Sequence, residues 1–218
     1  MSANELDPPR ILYLMRHGET EFNRNGRYQG HCDSPLTELG LAQARGLSRR
    51  FAAHLGCEPV RIVASPLGRA RATARILADA LGHSRDPETD LRLREVSMGA
   101  WDGLTRAEIA QRWPDARQGR GPREWMFHGP GGETLEAFSD RLAAALDAYW
   151  RTPGAPAIFV SHAGTGRILR ALHGGLPFSE ALKLDAPQDA AFALTPGGGI
   201  AEVLGPGAPV GPLPRHRN

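Results

Sequence analysis

The chain has 218 residues, of which 41% are hydrophobic, and its 26 basic residues nearly balance its 24 acidic ones. This length and composition favour one globular domain with a substantial buried core. The formal net charge is only +2, with the basic residues scattered along the chain. These features argue against nucleic acid or an anionic membrane as a partner, and any anion is expected to bind at a local site.

The cysteine and hydropathy patterns bear on the compartment. Cys32 and Cys57 form no CxxC motif, so neither a disulfide framework nor a zinc site is predicted. The first residues lack the pattern of a secretory signal, and no apolar run approaches the ~20 residues needed to span a bilayer. We therefore expect a cytoplasmic protein without membrane association.

Three apolar or β-branched runs predict the core strands, and each is bounded by turn-forming residues. They cover residues 11–15, 60–65 and 155–161. A further short strand is predicted over 200–204. We expect the first three strands to form the core of the sheet.

Alanine- and leucine-rich segments between these strands predict helices. The pattern over 36–56 has Thr37 as its N-cap, and the pattern over 65–82 has Ser65 as its N-cap and Pro66 at the first helical position. Further helical patterns cover residues 104–113, 134–150 and 164–174. The alternation of strands and helices is typical of an α/β fold.

We expect one domain over residues 10–205, with an N-terminal extension over 1–9 and a flexible tail over 206–218. The segment 117–132 is rich in Gly, Pro, Arg and Trp. It predicts a long irregular connection of the kind that often serves as a lid. His128 lies in this segment and is a candidate substrate contact.

Basic side chains follow each of the three core strands. Arg16 and His17 come after the first strand, Arg69 after the second and His162 after the third. The carboxyl ends of parallel strands meet at one edge of a sheet, so these side chains should converge. A cation in the first turn of a helix opposes the helix dipole, and a bound anion near Arg69 would remove that conflict. This set of groups suits a tetrahedral phosphoryl group.

Five segments, in order, resemble the motifs of the histidine phosphatase superfamily, the group that contains the cofactor-dependent phosphoglycerate mutases. They are LMRHGET, GRYQGHCDSPLTELGLAQA, ASPLGRARATA, LREVSMGAWDGLT and VSHAG. RHG alone is a weak motif, but five segments in the family's order are specific. The resemblance implies a three-layer α/β sandwich with a mostly parallel central sheet, no metal or other cofactor, and a phosphohistidine intermediate.

The resemblance also implies roles for individual residues. His17 matches the nucleophile, and Arg16, Arg69 and His162 match the phosphate pocket. Glu95 matches the proton donor.

Three further positions match the family's substrate-binding residues. Asn23 and Gln29 match residues that help to hold the phosphoryl oxygens. Ala163 stands where the family more often has glycine, and its methyl group is expected to narrow the pocket slightly without removing activity.

The chemistry expected of these residues is an in-line attack on phosphorus. It requires a neutral His17 whose other ring nitrogen is held by a hydrogen-bond acceptor. Arg16, Arg69 and a protonated His162 are expected to stabilise the charge on the transferring group. Glu95 would protonate the leaving alkoxide and then take a proton from the attacking water.

The remaining histidines form no HxH or HExxH motif, so no metal site is predicted. Trp101 and Trp113 are expected to pack beside the segment that carries Glu95 rather than to bind ligand. The histidines without an assigned role are His31, His54, His83, His128, His173 and His216.

The sequence favours a phosphatase of a small phosphorylated metabolite over a mutase. Glycolytic mutases of this family typically have a long insertion with paired arginines after the acid, and an asparagine two residues beyond the second histidine. Here the insertion is short and that position is Gly164. Arg117, Arg120 and Arg123 leave a phosphoglycerate mutase or a sugar bisphosphatase open.

A catalytically weak binding module of the same fold is a second alternative, although no catalytic position is missing. A small phosphomonoester is the expected partner, and a homo-oligomer is also open.

Overall fold

The computed structural model describes residues 10–205, so the predicted extension over 1–9 and the predicted tail over 206–218 lie outside the described residues. Six strands form one sheet. They are β1 (Leu12–Arg16), β2 (Arg61–Ala64), β3 (Glu88–Thr89), β4 (Ala157–Ser161), β5 (Ala191–Thr195) and β6 (Gly199–Val203), and their spatial order is β3-β2-β4-β1-β5-β6. The four predicted strands are confirmed, whereas β3 and β5 were not predicted.

The sheet is parallel through β3, β2, β4 and β1, and β5 and β6 are added antiparallel at one side. In the register of β1 with β4, Met15 lies beside Val160 and Arg16 beside Ser161. This register continues past the strand ends, since the backbone N–H of His17 donates to the carbonyl oxygen of Ser161 over 3.0 Å. The residues after the two central strands therefore lie side by side.

Seven α-helices occur in the described part of the chain. They are α1 (Glu21–Arg24), α2 (Glu38–Leu55), α3 (Gly68–Ala80), α4 (Arg106–Arg112), α5 (Leu135–Arg151), α6 (Ala163–Gly174) and α7 (Phe178–Ala181). The five predicted helices are present. The two that were not predicted, α1 and α7, have four residues each, which is too short for a helical hydrophobic period to be recognised.

Helices cover both faces of the sheet because successive side chains of a strand point to opposite sides. Tyr13 and Met15 pack in a cluster with residues of α2 and α3, including Phe51. Leu12 and Leu14 pack in a second cluster with residues of α5 and α6. The expected three-layer α/β architecture with a mostly parallel central sheet is thus confirmed.

The caps of the two long helices that flank β2 differ in how well they could be predicted. Thr37 is the N-cap of α2 and accepts from the backbone N–H of Gly40 over 3.0 Å, as predicted. The prediction of Ser65 as the N-cap of α3 is wrong, because α3 begins at Gly68 after Leu67, which provides no side-chain cap. The carboxylate of Asp33, from a distant loop, accepts from the first N–H groups of α3 instead.

The segment 117–132 is irregular apart from one short helix, as predicted, and two of its side chains anchor it to the core. A short 3-10 helix runs over Glu124–His128, and the side chains of Trp125 and Phe127 are buried in the cluster that packs on α5 and α6. His128 is exposed. The aromatic residues that made the composition of this segment unusual are the ones that hold it in place.

Trp101 is buried in the same cluster and Trp113 is partly buried against it, as predicted. Within residues 10–205, none of the helices is long and apolar enough to cross a membrane.

Candidate active site

His17 and His162 meet at the carboxyl ends of β1 and β4. Both side chains are buried, and their ring centroids are 5.1 Å apart. Arg69, in the first turn of α3, completes the group, with its Nε 3.3 Å from His17 Nε2. The structure therefore brings together the residues that the strand ends predicted.

The hydrogen bonds of His17 define its tautomer. Nδ1 lies 2.8 Å from the carbonyl oxygen of Gly18 and donates to it, so Nε2 carries the lone pair. Burial lowers the pKa of His17 well below 6.5, and the charges of Arg16 and Arg69 lower it further. His17 is therefore neutral at physiological pH, as an imidazole nucleophile requires.

Arg69 is held rigidly, and its side chain is only 1% exposed. The guanidinium donates to the carbonyl oxygens of Cys32 (2.8 Å) and Gly30 (2.9 Å), and to the carboxylate of Asp33 (3.1 Å). Asp33 also accepts from the N-terminal N–H groups of α3. The conflict between a cation and the helix dipole is thus already offset by an acidic side chain that sequence reasoning missed.

Arg16 and His162 each have a buried polar atom with no hydrogen-bond partner among the described residues, namely Arg16 Nε and His162 Nδ1. Arg16 Nη1 donates to the carbonyl oxygen of Ala186 over 2.6 Å, and His162 Nε2 is 2.7 Å from Ser65 Oγ. A buried polar atom without a hydrogen bond costs free energy, and a bound ligand could supply the missing partner. Both residues border a small cavity of about 20 Å³.

His162 is neutral in the unliganded protein, and its protonation during phosphoryl transfer stays a prediction. Burial lowers its pKa well below 6.5, and the charge of Arg69 lowers it further. Burial also lowers the pKa of Arg16, to about 10, so this arginine remains charged. His162 is neutral because it is buried away from water and lies near two cations.

Glu95 lies at the N-terminus of α6. Its carboxylate accepts from the backbone N–H groups of Val96 (3.0 Å), Gly164 (2.9 Å) and Thr165 (3.2 Å). A Cβ atom on residue 164 would lie 2.5 Å from Glu95 Oε1. The glycine noted in the sequence therefore leaves room for the carboxylate to reach the helix N-terminus.

The three residues predicted to bind substrate all line one cavity together with His17, Arg69 and Glu95. Asn23 Oδ1 accepts from the backbone N–H of Thr20 (3.2 Å) and from Gln188 Nε2 (3.1 Å), so its Nδ2 remains available as a donor. Gln29 Oε1 accepts from the hydroxyl of Ser34. Ala163 is the first residue of α6.

This cavity has a volume of about 130 Å³. Sequence reasoning missed part of its lining, which is contributed by Arg27, Tyr28, Val96, Met98 and Met126. The first two follow the RHGET segment and could have been noticed there, but Met126 lies in the segment that the sequence suggested as a lid. Over residues 10–205, no group of three or more His, Cys, Asp or Glu side chains is placed to hold a metal ion.

The fold and these residues are those of the histidine phosphatase superfamily. The model of the histidine phosphatase superfamily (branch 1) matches residues 12–202, and the chain belongs to this family. The chain is also similar to the "Probable phosphoglycerate mutase GpmB" of Yersinia pestis (strain Pestoides F), with 39% identity over 164 residues that cover 69% of this chain and 68% of the relative.

Solved structures of named phosphatases are similar to the whole domain. The mycobacterial glucosyl-3-phosphoglycerate phosphatase complexed with VO3 is 31% identical with a TM-score of 0.71, over 84% of this chain and 92% of that chain. A "putative alpha-ribazole-5'-P phosphatase" of Escherichia coli K-12 is 25% identical with a TM-score of 0.77, over 91% and 98% of the two chains.

Proposed function

We propose that this protein is a metal-independent hydrolase of a small phosphomonoester and that it acts through a phosphohistidine on His17. The observation that carries the proposal is the state of the His17 ring. Its Nδ1–H is bound to the Gly18 carbonyl, and its Nε2 lone pair is directed toward the buried guanidinium of Arg69. A neutral imidazole beside a fixed cation is suited to attack an anionic phosphoryl group.

In the first half-reaction, Nε2 of His17 attacks phosphorus in line, and the bond from phosphorus to the leaving oxygen breaks. Arg16 and Arg69 take the negative charge of the equatorial oxygens, and Asn23 adds a neutral donor. His162 Nδ1 has no hydrogen-bond partner among residues 10–205, and a dianionic phosphoryl group beside it would raise its pKa and favour proton uptake.

Glu95 would serve both half-reactions. As the carboxylic acid it protonates the leaving alkoxide, and as the carboxylate it takes a proton from the water that attacks the phosphohistidine. The second half-reaction releases inorganic phosphate and restores neutral His17.

The glycine at position 164 supports the choice of hydrolysis over phosphoryl transfer between substrates, because mutases of this family typically have an asparagine there. Gly164 lets the Glu95 carboxylate reach the helix N-terminus, and an asparagine would place a Cβ only 2.5 Å from Glu95 Oε1. Similarity to the two phosphatase structures supports this choice. Because similar relatives bear the name of a probable phosphoglycerate mutase, the isomerisation of phosphoglycerate by a mutase is the second candidate.

The test is an assay of the purified protein with p-nitrophenyl phosphate and a panel of phosphorylated metabolites in excess chelator. The quantity measured is the inorganic phosphate that is released. We expect turnover that the chelator does not change and that His17→Ala removes. A requirement for added metal, or the absence of turnover from every substrate, would contradict the proposal, and the latter outcome would favour a binding module.

A further inference from the structure

The cavity beside His17 contains two kinds of surface. At the strand ends it is lined by the charged groups that would hold the phosphoryl group. The rest of its lining includes four side chains with apolar or aromatic bodies, which we call the apolar wall: Tyr28, Val96, Met98 and Met126. A phosphoryl group bound at His17 would place the alcohol part of a substrate against this wall.

The apolar wall is backed by the core. The ring of Tyr28 meets that of Trp125 edge to face at 5.1 Å, and Trp125 contacts Trp101 at 5.4 Å. Both tryptophans are buried. The backbone of Tyr28 is also fixed, since its N–H donates to the carbonyl of Leu104 and its carbonyl accepts from Gly103. A wall that is already in place binds an apolar group without an ordering cost.

Arg27 is the cation that lines the cavity outside the phosphoryl end. It is already paired, because Nη1 and Nη2 donate to the two carboxylate oxygens of Glu108 over 2.9 and 3.2 Å, and Nη1 also donates to the carbonyl of Gly103. A second anionic group on the substrate would have to compete with Glu108 for this guanidinium. It would also face the negative charge of that carboxylate.

We propose, on the basis of the proposed function, that the substrate is a phosphomonoester of an alcohol with an apolar or aromatic body and no second anionic group. The phosphoryl group meets the cations at the strand ends, and the alcohol part packs on the apolar wall. Glu108 acts as a specificity residue, because it pairs with Arg27, the guanidinium in the cavity lining that could otherwise bind a second phosphate or a carboxylate.

The test compares benzyl phosphate with 4-carboxybenzyl phosphate, which differ in one carboxylate group remote from the leaving oxygen. We expect kcat/KM to be about tenfold or more higher for benzyl phosphate, because the carboxylate would be desolvated without a partner. Glu108→Gln keeps an oxygen for Arg27 and for the N-cap Thr105 but removes the charge. It should raise kcat/KM for 4-carboxybenzyl phosphate by about fivefold or more.

The matched control is Glu88→Gln. Glu88 forms the same kind of two-oxygen pair, with Arg61 at the edge of the sheet over 3.3 and 2.8 Å. It does not line the cavity. This variant should keep the wild-type preference between the two substrates.

Calorimetric binding of the two non-hydrolysable analogues, 2-phenylethylphosphonate and 2-(4-carboxyphenyl)ethylphosphonate, separates this inference from the proposed function. Tighter binding of the first analogue without turnover of either phosphate would support the apolar wall and contradict hydrolysis. Turnover of both phosphates with equal efficiency, or equal affinity for both analogues, would overturn the inference and leave hydrolysis intact.

Discussion

Arg69 Nε lies 3.3 Å from Nε2 of His17, inside a site where both side chains are almost fully buried. The guanidinium N–H therefore points at the same lone pair that is proposed to attack phosphorus. A bound phosphoryl oxygen would take over this N–H, which frees the lone pair as the substrate arrives. Arg69 would thus keep His17 neutral in the resting protein and then stabilise charge on the transferring group.

Replacing His17 by alanine should lower turnover by about three orders of magnitude or more, because the proposed covalent intermediate can no longer form. The far-UV circular dichroism should be unchanged, since the side chain lies beyond the end of β1. His128→Ala is the control, because His128 is exposed and does not line the cavity. The measurement is release of inorganic phosphate, and near-wild-type turnover by His17→Ala would rule out the phosphohistidine.

Arg69→Lys should lower kcat/KM by about two orders of magnitude, because an ammonium cannot reproduce the planar fork that grips two phosphoryl oxygens. The substitution should also lower the stability of the fold. The structure shows that the guanidinium holds two loop carbonyls and Asp33. We therefore expect the free energy of unfolding in urea to fall by about 2 kcal/mol. An active, equally stable lysine variant would contradict both parts.

The buried neutral histidines make stability depend on pH. The folded-state pKa values of His17 and His162 are both lowered well below 6.5, whereas the unfolded chain titrates near 6.5. Below that pH the unfolded state binds protons that the folded state does not, so their contribution to stability is present above pH 6.5 and is lost as the pH falls. The free energy of unfolding should drop by about 2 to 3 kcal/mol from pH 7.5 to 5.5.

The measurement is urea unfolding in phosphate-free buffer at both pH values, because bound phosphate would stabilise the folded state. His162→Asn should show about half of the wild-type drop, since one of the two buried imidazoles is gone. His128→Asn removes an exposed histidine and should keep the full drop. An equal pH dependence in His162→Asn and the wild type would contradict the assignment of His162 as buried and neutral.

The sequence predicted the parts of the fold and site that have strong local signals. Continuous apolar runs marked β1 and β4, and the side chains after them converge because the strands are adjacent and parallel. β3 was missed because it has only two exposed residues. Asp33 was missed because its contact with α3 joins residues far apart in the chain.

The charge state of His162 in the unliganded protein could not be predicted for a related reason. A sequence shows which charges are near a strand end, but the pKa of an imidazole depends first on its burial. The acceptors that orient Arg69 are largely backbone carbonyls of a loop, which no residue type identifies. Contacts of this kind depend on the path of the chain rather than on its composition.

Glu95→Gln tests the proposed proton donor through the leaving group. The amide cannot protonate an alkoxide, so hydrolysis of alkyl phosphates should fall by about two orders of magnitude or more. With p-nitrophenyl phosphate the leaving group departs without a proton, and phosphorylation of His17 should be much less affected. Activation of water remains impaired, so a burst of p-nitrophenol followed by slow turnover should accompany an accumulating phosphohistidine.

The products of the reaction separate the two enzymatic candidates, because a mutase passes the phosphoryl group to a second hydroxyl of its substrate rather than to water. Acid-labile, base-stable phosphate on His17 should accumulate in Glu95→Gln, and the wild type should release inorganic phosphate from monoesters without a bisphosphorylated primer. Equal losses on both leaving groups without a burst would remove Glu95 from the role of acid. Isomerisation of phosphoglycerate that is faster than hydrolysis and depends on a bisphosphorylated primer would establish the mutase. Only the mutase reaction requires a bisphosphorylated intermediate to turn around in the site before the phosphoryl group is transferred back to His17.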